Sequence, residues 1–557
     1  MKRKNLLYFF IGLGGLIVLN VLAAQFFFRV DLTEDQRYTI APATRRLLEN
    51  LDEQVFVTVY LAGDLPAGFQ RLRTAVRERL EEFEVYGGRN IRFQFTDPLA
   101  VNDKRLRNRT LIELGRKGLK PTNVFDNEGG KRIEKIIIPG AVVQYGGKET
   151  SVMLLRGNQA TKGLSAQQIL NQSVENVEYE LASAIKELTA KQKRRVGLIR
   201  GYGGPAPIQL ADLINGLQEN YDVFQVNLPG QPTLQGLDAV LVIKPDSAFT
   251  EADKYKLDQF IVNGGKALFF VDALKSDTLN KASTLVVPQD LNLGDLFFRY
   301  GVRLNDNMVQ DLNAALIPLN VGRLGDRPQI QPMPWRFFPL VNTFSDHPTV
   351  RNLDAVYVRY AGSMDTVRAA GIEKTPLLFT SKYTKIVNAP VQVDFNEART
   401  EPDPASFGAG NEPLAYLLEG RFRSLYANRI TPNDPRAKSF KTTGRPSRLV
   451  VCSDGDIPIN DIDPQTDRFL PLGLDRFSGN TFANKDFVLN LVGYLVEPAG
   501  IITARAKEVV LRPLDKLKVQ NERVQWQALN VGLPLVLIAL FGLLHAFLRK
   551  RKFAGQG

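Results

Sequence analysis

The chain has 557 residues, 44% of them hydrophobic and 23% charged, with a formal net charge of +12. This balance belongs to a folded protein rather than a disordered one, and the length implies about three domains. The charge does not point to nucleic acid: Lys2, Arg3 and Lys4 carry three of the twelve and Arg549–Lys552 four, which leaves a mildly basic middle. One cysteine, Cys452, excludes an internal disulfide and a cysteine zinc site. His347 and His545 are too few for a histidine metal centre or a well-supported Ser-His-Asp triad. The expectation is therefore a chain with no catalytic residues, metal or cofactor.

Residues 1–28 hold a basic tip and an unbroken apolar run, Leu6–Phe28. The run is longer than the roughly 7–15 residues of a signal-peptide core, and Ala23-Ala24-Gln25 is a poor cleavage site. It reads as an uncleaved membrane helix, with Gly12, Gly14 and Gly15 small enough for close helix packing. A small α/β domain follows over 29–160. Ala41–Asn50 reads as a helix with Pro42 in its first turn. The alternating, β-branched Gln54–Leu61 reads as a strand. Phe69–Tyr86 has the apolar spacing of an amphipathic helix, closed by Gly87-Gly88. Ile91–Thr96 is a second strand and Leu106–Leu114 a helix. Ile136–Gln144 and Ser151–Leu155 form a hairpin around Gly146-Gly147. The order is thioredoxin-like, but without a Cys-x-x-Cys pair it is a scaffold with no redox chemistry. Residues 161–195 read as a helical linker.

A larger α/β domain occupies 196–500. Val196–Arg200, Tyr221–Asn227, Ala239–Ile243 and Lys266–Val271 are apolar strands separated by helices at Gln209–Glu219 and Glu251–Val262. Such strands imply a parallel sheet covered on both faces, flavodoxin-like or class-I-amidotransferase-like. From about 305 to 440 the pattern loosens into an irregular insertion rich in proline, with Asn396–Gly410 as an exposed loop. Arg448–Cys452 is a last buried strand and Asn484–Val496 a helix. Residues 501–527 form a basic juxtamembrane segment. Residues 528–548 form a second membrane helix: Leu529–Leu548 has no ionisable residue but His545, and about 20 apolar residues cross about 30 Å of hydrocarbon. It contains Gly532 and Gly542 as packing positions. The cationic tail, 549–557, places that end in the cytoplasm. The expected topology is two-pass, in the inner membrane, with both termini cytoplasmic and the bulk on the other side.

Candidate sites are few. Gly201-Tyr202-Gly203-Gly204 follows a strand and precedes a helix, as phosphate loops do, but matches neither G-x-G-x-x-G nor the Walker A pattern. It reads more simply as a tight turn. Ser453, Asp454 and Asp456 stand at the carboxyl end of a strand, where open α/β sheets bind ligands. They read more simply as an Asp- and Gly-rich turn. An amidotransferase needs a nucleophilic cysteine with a downstream histidine; Cys452 has only His545 after it and reads as a buried thiol. His347 reads as a surface-loop residue. Trp335, Phe337 and Phe338 read as local packing rather than a partner groove.

Asp31-Leu-Thr and Arg37-Tyr-Thr39 after the first apolar run, Val57-Thr-Val-Tyr-Leu61 with Leu65-Pro66, and Phe95-Thr-Asp-Pro98 recur in one order. Asn263-Gly-Gly-Lys266, Ser453-Asp454, Gly479-Asn480, Phe487-Val-Leu-Asn490 and Arg512-Pro-Leu-Asp515 continue it. In this order the chain resembles, over nearly its full length, the gliding-motility-associated GldG proteins of Bacteroidota. The resemblance implies an auxiliary or substrate-binding subunit of an ABC transporter, linked to gliding and type IX secretion. Its partners would be a membrane permease and a cytoplasmic ATPase. The resemblance supplies no catalytic residues and leaves homo- and hetero-oligomeric assembly open.

Overall fold

The computed structural model describes residues 13–15, 39–100, 103–128, 131–155, 166–190, 192–278, 283–324, 327–351, 353–431, 433–497, 500–506 and 516–553. The apolar run Leu6–Phe28, with Gly12, therefore lies outside the described residues except for 13–15, which are helical and exposed. The chain divides into two units, Met1–Lys507 and Glu508–Gly557.

The first unit begins with α1 (Pro42–Glu49), β1 (Val55–Val59) and α2 (Ala67–Gly87). After them come β2 (Ile91–Phe95), α3 (Lys104–Arg116), β3 (Thr122–Glu128), β4 (Lys131–Ile137), β5 (Gly140–Tyr145) and β6 (Lys148–Met153). A four-stranded sheet has the order β2-β1-β5-β6, with β1 parallel to β2 and antiparallel to β5. Every second residue of β1 (Val55, Val57, Val59) is fully buried, as the two-residue period requires. Phe69, Leu72, Val76, Leu80 and Phe83 bury one stripe of α2 against this sheet.

Two features depart from the sequence reading. Ile136 does not run into the next strand. Pro139, which has no N–H to give a ladder, interrupts the chain, so β4 ends at Ile137 and pairs with β3 in a hairpin of its own. The helix expected as a linker is α4 (Ala166–Thr189), and it is a core element. Val177, Leu181, Ile185 and Leu188 form a stripe at helical spacing that packs with α2 and the small sheet. Its buried Glu178 accepts the Ala41 N–H at 2.5 Å and pairs with Arg79 at 3.4 Å, tying the start of α1 to this helix.

Next come β7 (Arg194–Arg200), α5 (Ala211–Asn220), β8 (Tyr221–Asn227), β9 (Ala239–Ile243), α6 (Glu251–Val262) and β10 (Lys266–Phe270). They join β24 (Ser447–Cys452) and helix α8 (Asn484–Val496). The eight-stranded sheet has the order β17 (Thr343–Phe344), β20 (Ile372–Phe379), β23 (Pro413–Gly420), β24, β10, β9, β7, β8, and it is parallel from β24 to β8. All five residues of β9 are buried. Alternate side chains feed two cores. Leu198, Leu241, Leu268 and Val450 pack with α5 and α8 on one face. Val240, Val242, Phe269 and Val451 pack with α6 and α7 (Gly294–Tyr300) on the other.

The stretch expected to be irregular is largely extended. It follows β11 (Leu274–Thr278), β12 (Ser283–Pro288) and β13 (Val302–Leu304), and opens with β14 (Asn307–Asp311), β15 (Ala314–Leu324) and β16 (Arg327–Val341). β17 (Thr343–Phe344), β18 (Val356–Tyr357), β19 (Met364–Thr366) and β20 (Ile372–Phe379) follow, then β21 (Thr384–Asn388), β22 (Val391–Asp394) and β23 (Pro413–Gly420). Proline and two register shifts in the β15–β16 ribbon break the two-residue period, which is why the strands do not read clearly from the sequence. Trp335 and Phe337 are buried in a local core with Phe395 nearby. Asn396–Gly410 is not wholly exposed either: Ala398 and Phe407 are buried. Ile501–Ala506, expected beside the membrane, forms a short 3-10 turn whose Ile501 joins the small sheet's core.

The second unit contains α9 (Lys516–Phe553). Its Trp526–Arg551 stretch is long and apolar enough to cross a membrane. Among the described residues, Gly532 and Gly542 there, and Gly14 and Gly15 near the start of the chain, have open space where a Cβ would stand.

Candidate functional site at the carboxyl edge of the central sheet

Because β7, β9, β10 and β24 run parallel, the segments after them emerge at one edge. These are Gly201–Gly204, Lys244–Ser247, Val271-Asp272 and Ser453–Asp456. The two sequence-predicted loops flank Lys244. A Cβ on Gly204 would meet the Ile243 and Lys244 carbonyl oxygens at 2.9 Å, and one on Gly455 would meet the Lys244 Cβ at 2.8 Å. Gly204 has φ +86°, so both approach and conformation require glycine.

The first loop is filled by the protein itself. Tyr202 is buried, stacks on Phe249 at 3.9 Å between ring centroids, and donates its hydroxyl hydrogen to Asp253 in α6. The Asp246 carboxylate lies where a Gly203 side chain would stand, and Gly204 N–H points to it at 3.4 Å. A carboxylate held against this amide opposes a phosphate there.

The second loop carries the charge. Lys244 Nζ lies 2.5 Å from Asp456 Oδ2 and 3.4 Å from Asp272 Oδ2. Asp272 Oδ1 accepts the Gly455 N–H at 2.6 Å. The buried Asp454 accepts the N–H of Arg359 at 2.7 Å and of Asp456 at 2.6 Å. Arg359 reaches Asp461 at 3.3 Å and lies over the Tyr357 ring. Burial pushes the Asp272 carboxyl up to about 6, against the pull of Lys244 and with the help of Asp456. Burial and the same carboxylates raise Asp454 well above the carboxylate range. Burial disfavours charge on Lys244, but Asp272, Asp456 and Asp454 outweigh it and raise its pKa.

Ser453 is buried and donates its hydroxyl to the Gly362 carbonyl at 2.6 Å, so its proton goes to a backbone acceptor rather than to a general base. The chemistry of the edge is charge compensation that fastens segment 359–362 over the sheet. Lys244 is legible in hindsight as a lone lysine at the end of a wholly apolar strand. Arg359 and Asp461 carry no sequence signal, since both lie in stretches without clear periodicity. Among the described residues no group of three His, Cys, Asp or Glu side chains is arranged to hold a metal ion.

The other candidates are placed as follows. Cys452 is fully buried in β24, and burial pushes its thiol well up, away from the reactive thiolate. His347 is half-buried rather than on an open surface loop. Its Nδ1 lies 2.8 Å from the Thr349 hydroxyl and its ring meets Tyr494 edge-on. A separate cavity of about 430 Å³, which no sequence motif marks, lies between α4, β6, the α5–β8 corner and α8. Tyr179, Glu187, Glu219, Tyr221 and Asp486 line it.

Fold and edge together define a mixed α/β, membrane-associated chain whose central sheet is stitched closed by its own loops. The chain belongs to the family described as an ABC-type uncharacterized transport system, whose model matches residues 193–491. A domain of unknown function (DUF7088) matches residues 34–144. An uncharacterized protein of Borreliella burgdorferi is 21% identical over 417 residues, which cover 73% of this chain and 75% of that protein. Among solved structures, the N-terminal domain of mmIFT52 is similar at 10% identity and a TM-score of 0.29, covering 54% of this chain and 96% of that one. A ThuA-like protein of Parabacteroides merdae is similar at 12% identity and a TM-score of 0.28, covering 55% and 91%. Both scores lie below 0.5, and neither fold is assigned to this chain.

Proposed function

We propose that this chain is a non-catalytic, membrane-anchored subunit of an ABC-type transport complex that holds its α/β domains against a permease served by a cytoplasmic ATPase. The family match over the central sheet carries the reading. The exposed apolar stretch Trp526–Arg551 supports a membrane anchor. The strand order β2-β1-β5-β6 supports a thioredoxin-like scaffold for 29–160. The order β8-β7-β9-β10-β24 supports a flavodoxin-like sheet for the larger domain. Two passes, cytoplasmic termini, a periplasmic bulk in the inner membrane, and a link to gliding and type IX secretion rest on the resemblance to the GldG proteins and on the charge of the tails. Mild-detergent co-purification of the tagged full-length chain from native membranes tests the reading. The expected result is recovery of a multi-span permease and a P-loop ATPase; recovery of the chain alone sinks it.

A solute receptor is the second reading, and the 430 Å³ cavity favours it over the closed sheet edge. A solute held there at about 100 times its dissociation constant would stabilise the fold by about 2.7 kcal/mol. A thermal-shift screen of amines and other cationic solutes, chosen for the carboxylates in the lining, checks it. No shift with any of them argues against a receptor of that kind.

A further inference from the structure

We infer that the exposed face of α3 is a docking surface for the anionic phospholipid headgroups of the bilayer in which the chain is anchored. The inference rests on the membrane anchoring proposed above. Among the described side chains of helix α3, Lys104–Arg116, Leu114 is buried with Leu119, Ile138 and Val142, and Arg107, Thr110 and Leu111 on the same side are half-buried. At about 100° per residue, Leu114 marks one side of the helix. Arg105, Arg109, Ile112 and Arg116 fall within about 60° of one another on the opposite side, at the i, i+4, i+7, i+11 spacing of a stripe. All three arginines are exposed, and among the described residues their guanidinium groups have no hydrogen-bond or ion-pair partner. Ile112 is 58% exposed in their midst and Leu106 is 46% exposed further round.

Three unpaired guanidinium groups around a protruding isoleucine suit a surface that offers phosphate oxygens and, just below them, an apolar layer. Arginine binds phosphate through two parallel hydrogen bonds. An acidic protein would satisfy the arginines but would not by itself call for exposed apolar side chains between them. Nine residues separate Ala506 from Lys516, a tether that reaches about 36 Å at most between those two positions. A short tether keeps the local concentration of headgroups high, so a weak patch is enough.

The test uses the full-length chain with Ile112→Cys, labelled with an environment-sensitive fluorophore; the single native thiol, Cys452, is buried and silent. The chain is reconstituted into nanodiscs of phosphatidylcholine alone or of phosphatidylcholine with phosphatidylglycerol. Co-elution with both kinds of disc establishes anchoring separately from docking. The expected result is a blue-shifted emission only in the phosphatidylglycerol discs. Raising the salt to 1 M should abolish the shift, because screening then acts within about 3 Å. The triple variant Arg105→Glu, Arg109→Glu, Arg116→Glu should lose at least four-fifths of it while keeping its circular dichroism spectrum. Equal emission in the two lipids from an anchored chain overturns the proposal. So does a shift that appears only in native membranes and vanishes when the permease is removed, since the occupant would then be a protein.

Discussion

Asp258→Ala is expected to be among the most damaging single changes in the larger domain. Asp258 is fully buried in α6 and accepts four hydrogen bonds: from the Tyr300 hydroxyl at 2.8 Å, the Ser424 hydroxyl at 2.6 Å, the Leu425 N–H at 2.8 Å and the Gln259 side-chain amide at 3.0 Å. Burial and the Asp258 charge push the Tyr300 phenol well up, so it remains a donor at any working pH. Removing the carboxylate strands these donors in a closed interior. Each stranded group costs about 1–3 kcal/mol, and losing one partner of a buried charged network typically costs about 3–5 kcal/mol in all. At about 2–4 °C per kcal/mol for a domain of this size, the Tm should fall by about 10 °C. Asp258→Asn keeps an acceptor and should lose clearly less. Differential scanning fluorimetry of the full chain in detergent measures both; a fall under about 3 °C for the alanine variant would show that Ser424 and Tyr300 find other partners.

Lys244→Met should cost less and depend on pH. Lys244 is the cation among Asp272, Asp456 and Asp454, and its removal leaves like charges facing one another in a half-buried site. Its side chain is 37% exposed, so the loss should be about 2 kcal/mol at neutral pH, below the range for a fully buried pair. The sign follows from Asp272, whose carboxyl is raised to about 6 from an ordinary 3.8. The folded state therefore holds this proton more tightly than the unfolded chain does. The protonated form favours folding most at low pH, and that contribution is lost as the pH rises through about 6. Without Lys244 the Asp272 carboxyl rises further, so the deficit relative to the natural chain should be larger at pH 8 than at pH 5. Thermal melts of both chains at the two pH values decide it, and an equal deficit at both would remove Lys244 from its assigned role.

What the sequence revealed followed from periodicity. The stripe of α2 and the alternation of β1 each announce one buried face, and the unbroken apolar run of β9 announces two. The ribbon of β15 and β16 was hidden because Pro332, Pro334 and Pro339 stand inside a strand and two register shifts break its alternation. Trp335 and Phe337 read as local packing in the sequence and are buried in a local core in the structure. The role of α4 was hidden for another reason. An amphipathic helix shows that it has a face to bury but not which sheet receives it, and only the long-range contact of Val177 and Leu181 decides that. The edge cluster was half legible: Asp454 and Asp456 follow a strand in plain view, while Arg359 reaches them from about 95 residues away.

Ile501 belongs to the core of the small sheet, although more than 300 residues of the larger domain separate the two in the chain. Ile501 is the last residue of that core to leave the ribosome, so a chain truncated before residue 500 should leave an apolar seam open beside α4. The same contact clasps the two ends of the body: a segment that follows the large sheet in the chain completes the core that precedes it.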